Sequence, residues 1–284
     1  MASSSIPVSE PVLARARRRG RSRLRRIAPY TLTVFVVAAF FAAWQYATDS
    51  DLIHRIILPE PGTVFEEFIE ILGQATFREN LWVTLREVIF GFLIGCSAAI
   101  VMALVSVGFP LVRKVLQPYM TAFQAVPKIV FVPLFAIMFG GVNMTTAIVV
   151  VALVAFFPTY VNTYTGLMLS AEEELRLLHS LGASRGQAFW MCRIPRALPL
   201  VFTGLKTSIN YGVLAAITTE FLGASSGLGY TVNASTAFFN LPAVYASVAA
   251  ITLVAGTVYI IVEIIDRKLI FWRVDLDKAE RGEA

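Results

Sequence analysis

Residues 170–199 read SAEEELRLLHSLGASRGQAFWMCRIPRALP, a polar insert between apolar runs that end near Leu167 and begin near Leu198. Ser170 and Glu173 stand at capping-box spacing. Glu172, Glu173 and Glu174 fall in the same first turn, where the helix dipole favours negative charge. The spacing predicts a short helix whose apolar face is Leu175, Leu177, Leu178 and Leu181, closed at Gly182, where a left-handed residue ends a helix. Ser184 and Gln187 form a second capping box. It opens another helix through Phe189, Trp190 and Met191, which Pro195 is expected to end by removing a backbone donor. Helix, glycine corner, helix is longer than an ordinary connection and reads as a surface for docking a partner in water.

The rest of the chain explains why such a surface stands out. Of 284 residues, 57% are hydrophobic and only 15% charged, with a mean hydropathy of +0.69, which excludes an ordinary soluble domain. The expected fold is all-α, a polytopic membrane protein with six transmembrane helices. Six runs approach the roughly 20 residues needed to cross a bilayer: 28–48, 82–108, 119–140, 145–167, 198–223 and 244–265. The organisation expected is a basic tail (1–27), a six-span domain (28–267) with the insert at 168–197, and a tail at 268–284. The first run, although preceded by arginines, lacks a small-x-small cleavage site and is read as a retained span with no twin-arginine signal.

Orientation follows from the basic residues. With the N-terminus inside, the cytoplasmic side receives the eight arginines between Arg15 and Arg26, then Arg113, Lys114, Arg176, Arg185, Arg193, Arg196 and five more after the sixth run. The outside receives Arg55 and Arg78. This asymmetry places both termini and the insert in the cytoplasm. It also accounts for the net charge of +5 without nucleic acid: basic residues directly before a span meet anionic lipid. The outer segment is acidic, and Thr63 with Glu66 predicts a capped short helix, read as either a contact for an external partner or an interfacial brace.

Catalytic signals are weak. Gly223-Ala224-Ser225-Ser226-Gly227 satisfies G-x-S-x-G without the strand, helix and histidine that a nucleophile elbow needs, and reads as a flexible turn. No G-x-x-x-x-G-K-[ST] occurs, so any ATP site belongs to another subunit. Cys96 in a span and Cys192 in the insert are read as structural thiols. Neither an enzyme, a metal site nor a cofactor is expected.

Several stretches resemble the inner-membrane permeases of binding-protein-dependent ABC importers, in the nitrate, sulfonate, taurine and thiamine-precursor branch. Gly182 and Pro195 match the glycine and proline of that family's cytoplasmic E-A-A loop, with Ile194 where leucine is usual. Arg176, Leu177 and Leu178 occupy the E-A-A triplet and Cys192 the isoleucine position, so the contact of the usual glutamate does not carry over. Leu58-Pro59-Glu60-Pro61 resembles L-P-S-P, and Leu198-Pro199 with Phe202-Thr203-Gly204-Leu205 resembles the start of the fifth span. The stretch from Glu220 to Gly229 is similar to A-E-x-x-G-A-S-x-G-L-G, with Thr219 for the alanine.

The resemblance implies a type I importer permease in the cell's inner membrane. Two copies form a pathway, each docks its insert on a cytoplasmic ABC ATPase, and an external or periplasmic solute-binding protein delivers the cargo. The residues expected to couple to the ATPase are Glu173, Arg176, Leu178, Gly182, Ala183, Ser184 and Pro195. Candidates for the pathway are polar residues within spans: Gln124, Lys128, Asn210, Tyr211, Thr218, Thr219 and Glu220. Glu220 has a second reading as a brace for the turn after it, and Lys206 as a residue that snorkels to the membrane face. Gly91 and Gly95 permit close helix packing, within the same bundle or with a second copy. Phenylalanines near the third and fourth runs point to a heteroaromatic vitamin or precursor (riboflavin-like or a pyrimidine thiamine precursor), ahead of nitrate, sulfonate or taurine. A secondary transporter or channel without an ATPase is the alternative, and it predicts a coupling carboxylate deep in a span or broken helices in repeated halves.

Overall fold

The computed structural model describes residues 31–50, 52–54, 56–169 and 172–269. The arginine-rich tail, Ser170 with its capping box and most of the C-terminal tail lie outside those residues. Every regular element described is helical. Among the described residues, five helices are long and apolar enough to cross a membrane, and a sixth is reached when one bent pair is counted as a single span.

The chain divides into two units, residues 1–65 and 66–284. The first holds α1 (Thr31–Asp49), whose apolar side chains, among them Leu32, Phe35, Val36 and Phe40, are exposed as a lipid-facing span requires. Trp44 donates its indole N–H to the Pro59 carbonyl at 3.0 Å. The next helix, α2 (Pro61–Gly73), starts two residues before the Thr63 cap expected from sequence. Pro61 takes the first helical position, where a missing N–H costs nothing, and Thr63 returns its hydroxyl to the Glu60 carbonyl at 2.8 Å.

In the second unit α3 (Ala75–Gly108), α6 (Met144–Met168) and α9 (Ile194–Phe221) form the core. Glycines let these backbones approach. A Cβ added to Gly91 would lie 2.5 Å from Val151 Cβ, one added to Gly95 would strike the Ala152 carbonyl, and one added to Gly204 would lie 2.9 Å from Asn162 Cβ. The Gly91 and Gly95 pair therefore serves its own bundle. A polar rung crosses the seam: Cys96 Sγ lies 3.2 Å from Thr159 Oγ1, Thr159 is 2.8 Å from Ser208 Oγ, and Ser208 donates to the Ala155 carbonyl at 2.7 Å. Around it pack Val88, Val150, Val151, Ile209 and Val213.

The third apolar run departs from expectation. It is not one continuous helix but α4 (Pro110–Ala125), a 3₁₀ turn (Lys128–Phe131) and α5 (Val132–Phe139), with a bend of 91°. Pro127 supplies the reason: it forces Val126 into extended backbone (φ −76°, ψ 128°) and withholds a donor. Pro195 departs in the opposite sense. After α7 (Glu172–Ser180) and α8 (Arg185–Ala188), a π-helical turn (Phe189–Arg193) sends the Ile194 N–H back to the Phe189 carbonyl. The ladder is already shifted where the proline arrives, so the helix continues into α9 instead of stopping.

At the end opposite the insert, Gly223 to Gly227 is tied down, where the sequence suggested a flexible turn. Fully buried Glu220 accepts from Thr84 Oγ1 at 2.6 Å and from the Gly229 N–H at 2.7 Å. Thr84 Oγ1 accepts from the Leu228 N–H at 2.9 Å, and Asn80 Oδ1 accepts from the Gly227 N–H at 2.8 Å. Gly227, at φ +106°, has no room for a Cβ beside the Glu220 carboxyl. This clasp joins α3, α9 and the start of α10 (Leu228–Ala237). The last helix, α11 (Leu241–Leu269), packs Ala243, Ala246 and Ala250 on Leu228 and Phe77. Near its end Glu263 and the buried Asp266 both pair with Lys206 of α9, so Lys206 does more than snorkel.

Two predictions follow from this packing. Gly95→Val should cost about 1–3 kcal/mol through overpacking, read as a lowered thermal midpoint of the purified protein, while Gly256→Ala, where nothing lies within 4 Å, should leave it unchanged or raised. Thr84→Val leaves two buried groups without their partner at about 1–3 kcal/mol each. Its midpoint should fall well below that of Thr236→Val, whose hydroxyl only returns to the Val232 carbonyl on an exposed face.

Candidate functional site

Two places carry chemistry, the insert and a cavity at the broken span. In the insert α7 closes as its sequence dictates. Gly182 stands at φ +84°, its N–H bonds the His179 carbonyl at 3.0 Å, and the Ala183 N–H bonds the Leu178 carbonyl at 2.9 Å, the paired bonds of a Schellman end. Ser184 then caps α8 reciprocally: its Oγ accepts from the Gln187 N–H at 3.3 Å, and Gln187 Oε1 accepts from the Ser184 N–H at 2.8 Å. The two motifs abut without a spare residue, so the corner is fixed by the backbone bonds of the Schellman end together with the Ser184 and Gln187 side-chain caps.

The coupling candidates fall around this corner. Gly182, Ala183 and Ser184 form it, and Leu178 is half-buried beneath it. Arg176 is exposed and Glu173 lies in the first turn of α7. Pro195 sits after the π turn, in the first turn of α9. Leu177, Leu181, Trp190 and Met191 present large apolar surface. The sequence reading missed the tie that holds α7 to α9. Glu174 pairs with Arg196 and accepts from Cys192 Sγ at 3.4 Å, and no local spacing marks a partner 22 residues away. Both charged side chains are nearly half exposed, so the pair contributes about 0–1 kcal/mol and serves mainly to orient.

The cavity, about 450 Å³, opens where α4 breaks and is lined by Gln124, Pro127, Lys128, Phe157, Tyr211 and Leu214 among others. Lys128 Nζ donates to the Gln124 carbonyl at 2.8 Å and stands 5.2 Å from the centroid of the Phe157 ring, which stacks on Phe123 at 5.9 Å. The break thus places a cation beside a space walled in part by Phe157 and Tyr211, an arrangement that suits a wet path for a small solute. Three of the seven pathway candidates meet here: Gln124, Lys128 and Tyr211. Asn210 is exposed beside Tyr211, and Thr218 lies one turn beyond Leu214 and returns its hydroxyl to that residue's carbonyl at 2.7 Å. Thr219 is buried against the Ala215 carbonyl at 2.7 Å, and Glu220 belongs to the clasp.

Comparison with known proteins agrees with this geometry. The family described as binding-protein-dependent transport system inner membrane component matches residues 91–271. The taurine transport system permease protein of Escherichia coli is 28% identical, covering 85% of this chain and 90% of its own length. The riboflavin transport system permease protein of Chloroflexus aurantiacus is 26% identical over 86% and 89%, and the formylaminopyrimidine transport permease protein of Halalkalibacterium halodurans 29% over 76% and 86%. Among solved structures, the inward-facing MetNI methionine ABC transporter gives a TM-score of 0.54 at 18% identity, covering 67% of this chain and 92% of that one. An amino acid ABC transporter gives 0.55 at 15%, over 72% and 94%; both show the fold. The match takes in the seam from Gly91, the broken span, the insert and the Glu220–Gly229 side of the clasp, so this chain belongs to the inner-membrane permeases of binding-protein-dependent ABC importers, a transport subunit and not the hydrolytic one.

Proposed function

We propose that two copies of this chain form the pathway of an ATP-driven importer, with both termini and residues 170–199 on the ATPase side and a solute-binding protein docking at the clasp end. The observation that carries the reading is the corner at Gly182, a rigid hairpin with exposed Leu177 and Leu181 placed in continuous helix with α9. A push on the corner is transmitted along α9 to Tyr211 at the cavity and to the clasp, because residues Arg185–Phe221 run as one helical stretch. The test is to purify the tagged chain from its native membrane: a P-loop ATPase and a binding protein should co-purify, and recovery of neither overturns the proposal.

For cargo we read a planar heteroaromatic vitamin or precursor, supported by the stacked Phe123 and Phe157 beside the cavity. A sulfonate or taurine is the second reading, favoured by Lys128 in the same wall. Flux measurements with riboflavin, formylaminopyrimidine and taurine in proteoliposomes containing the binding protein distinguish them.

Gly182→Val places a β-branched residue at φ +84° at a strain of about 1–3 kcal/mol, roughly 5- to 150-fold in the balance between corner conformations. Transport should fall by that order while ATP hydrolysis persists, and Gly182→Asn, which tolerates the left-handed region, should restore much of it. Cysteines placed at Lys128 and Tyr211, in a background lacking Cys96 and Cys192, should react with a water-soluble thiol reagent; one at Thr219 should not.

A further inference from the structure

We propose that a second cavity, between the insert and the end of α3, binds the phosphate head group of an anionic phospholipid from the leaflet on the insert's side. This cavity is about 410 Å³, a ligand-sized space. Leu104 and Val107, from the last turns of α3, and Phe189 supply an apolar half; His179, Arg185 and Arg193 supply a polar half of donors. No carboxylate among the described residues lines it.

The state of the neighbouring cations sharpens the assignment. Arg196 is taken by Glu174, Lys206 by Glu263 and Asp266, Arg267 by Glu263, and Arg113 lies over the Tyr164 ring at 5.7 Å. Arg185 and Arg193 have no ion pair among the described residues, yet they line one cavity with an imidazole. Two guanidinium groups offer forked donors that match phosphate oxygens. An acidic protein surface would satisfy the charge but not the apolar half. That half comes from the end of a membrane-spanning helix, at the depth of the lipid interface, and continues into the exposed side chains of Val105, Phe109 and Leu111, along which an acyl chain can lie. A basic pocket beside spanning helices is a recurrent form of anionic head-group site. Because its roof is α7 and α8, an occupied cavity would brace the corner against α3 from below, leaving Leu177 and Leu181 free above.

The test uses the full chain with its co-purified ATPase, in nanodiscs of phosphatidylcholine containing phosphatidylglycerol, with retained lipid counted by native mass spectrometry after mild extraction. Phosphatidylglycerol should be held in preference to phosphatidylcholine. Arg185→Gln and Arg193→Gln should each weaken retention about fivefold, and together about thirtyfold, whereas lysine at both positions should keep most of it. Val107→Trp, which fills the apolar half without altering a charge, should also lower retention, and it keeps the test informative if the double variant fails to fold. Equal retention of the two lipids, or unchanged retention in the glutamine and Val107→Trp variants, overturns the proposal. Displacement by soluble glycerophosphoglycerol as effective as by the lipid would reassign the site to a free phosphate ester. Loss of lipid whenever the ATPase is bound, with the glutamine variants losing the ATPase, would reassign it to the protein partner.

Discussion

The approach of α3 to α6 at Gly91 and Gly95 is the constraint on which the rest depends. In a bilayer there is no hydrophobic gain from pressing one apolar helix against another, so association rests on contact and on polar groups finding partners. Glycine at both positions lets the α3 backbone meet Val151 and the Ala152 carbonyl directly. Only at that separation can Cys96, Thr159 and Ser208 hand a chain of bonds from α3 through α6 to α9. A larger residue at Gly95 would part the helices and strand those hydroxyls in an apolar interior, so the cost extends beyond one contact.

With the three helices locked together, the two ends of the second unit divide the work. At one end Glu220, Thr84 and Asn80 take up the backbone donors of Gly227, Leu228 and Gly229, which holds a glycine-containing turn in one conformation. At the other, a Schellman end and a capping box define the corner at Gly182. Both devices satisfy backbone groups that a loop would otherwise present to water or lipid. Between them α9 runs as one helix from Ile194 to Phe221, with the π turn immediately before it and Pro199 inside its early turns. The break belongs to the neighbouring α4 and α5 pair, beside the cavity.

How far the sequence revealed this depends on the range of each interaction. The insert was legible because its signals are local: Ser184 reaches Gln187, and Gly182 closes bonds to His179 and Leu178, all within a few residues. The spans were legible from length and apolarity alone. Proline effects were not legible: Pro195 reads from sequence as a helix end and the run through Pro127 as uninterrupted, and the structure differs at both. Pro127 broke a run taken as continuous, since Val126 before it was pushed into extended backbone. Pro195 left continuous a helix taken as ended, since the π turn had already shifted the ladder. The ties of Thr84 to Glu220, of Asn80 to Gly227 and of Glu174 to Arg196 were not legible. Each spans more than twenty residues, and no periodicity encodes which polar side chains will face one another across a seam.

Burial and bonding also sort the polar residues considered for the pathway into two kinds, which the sequence could not do. A polar group at membrane depth must be bonded within the protein or stand in a wet space. Glu220 and Thr219 take the first course: they are buried, with acceptors and donors matched. Lys128 and Tyr211 take the second: Lys128 has one backbone carbonyl and an aromatic face for partners, and Tyr211 is half exposed at the cavity wall. An ammonium so sparsely bonded is tolerable only where water, solute or a second subunit completes its shell. The distribution separates an exposed stretch of α9 through Asn210, Tyr211 and Leu214, of which Tyr211 and Leu214 stand at the cavity wall, from Glu220, whose bonds to Thr84 and Gly229 make it the brace of the turn that follows it.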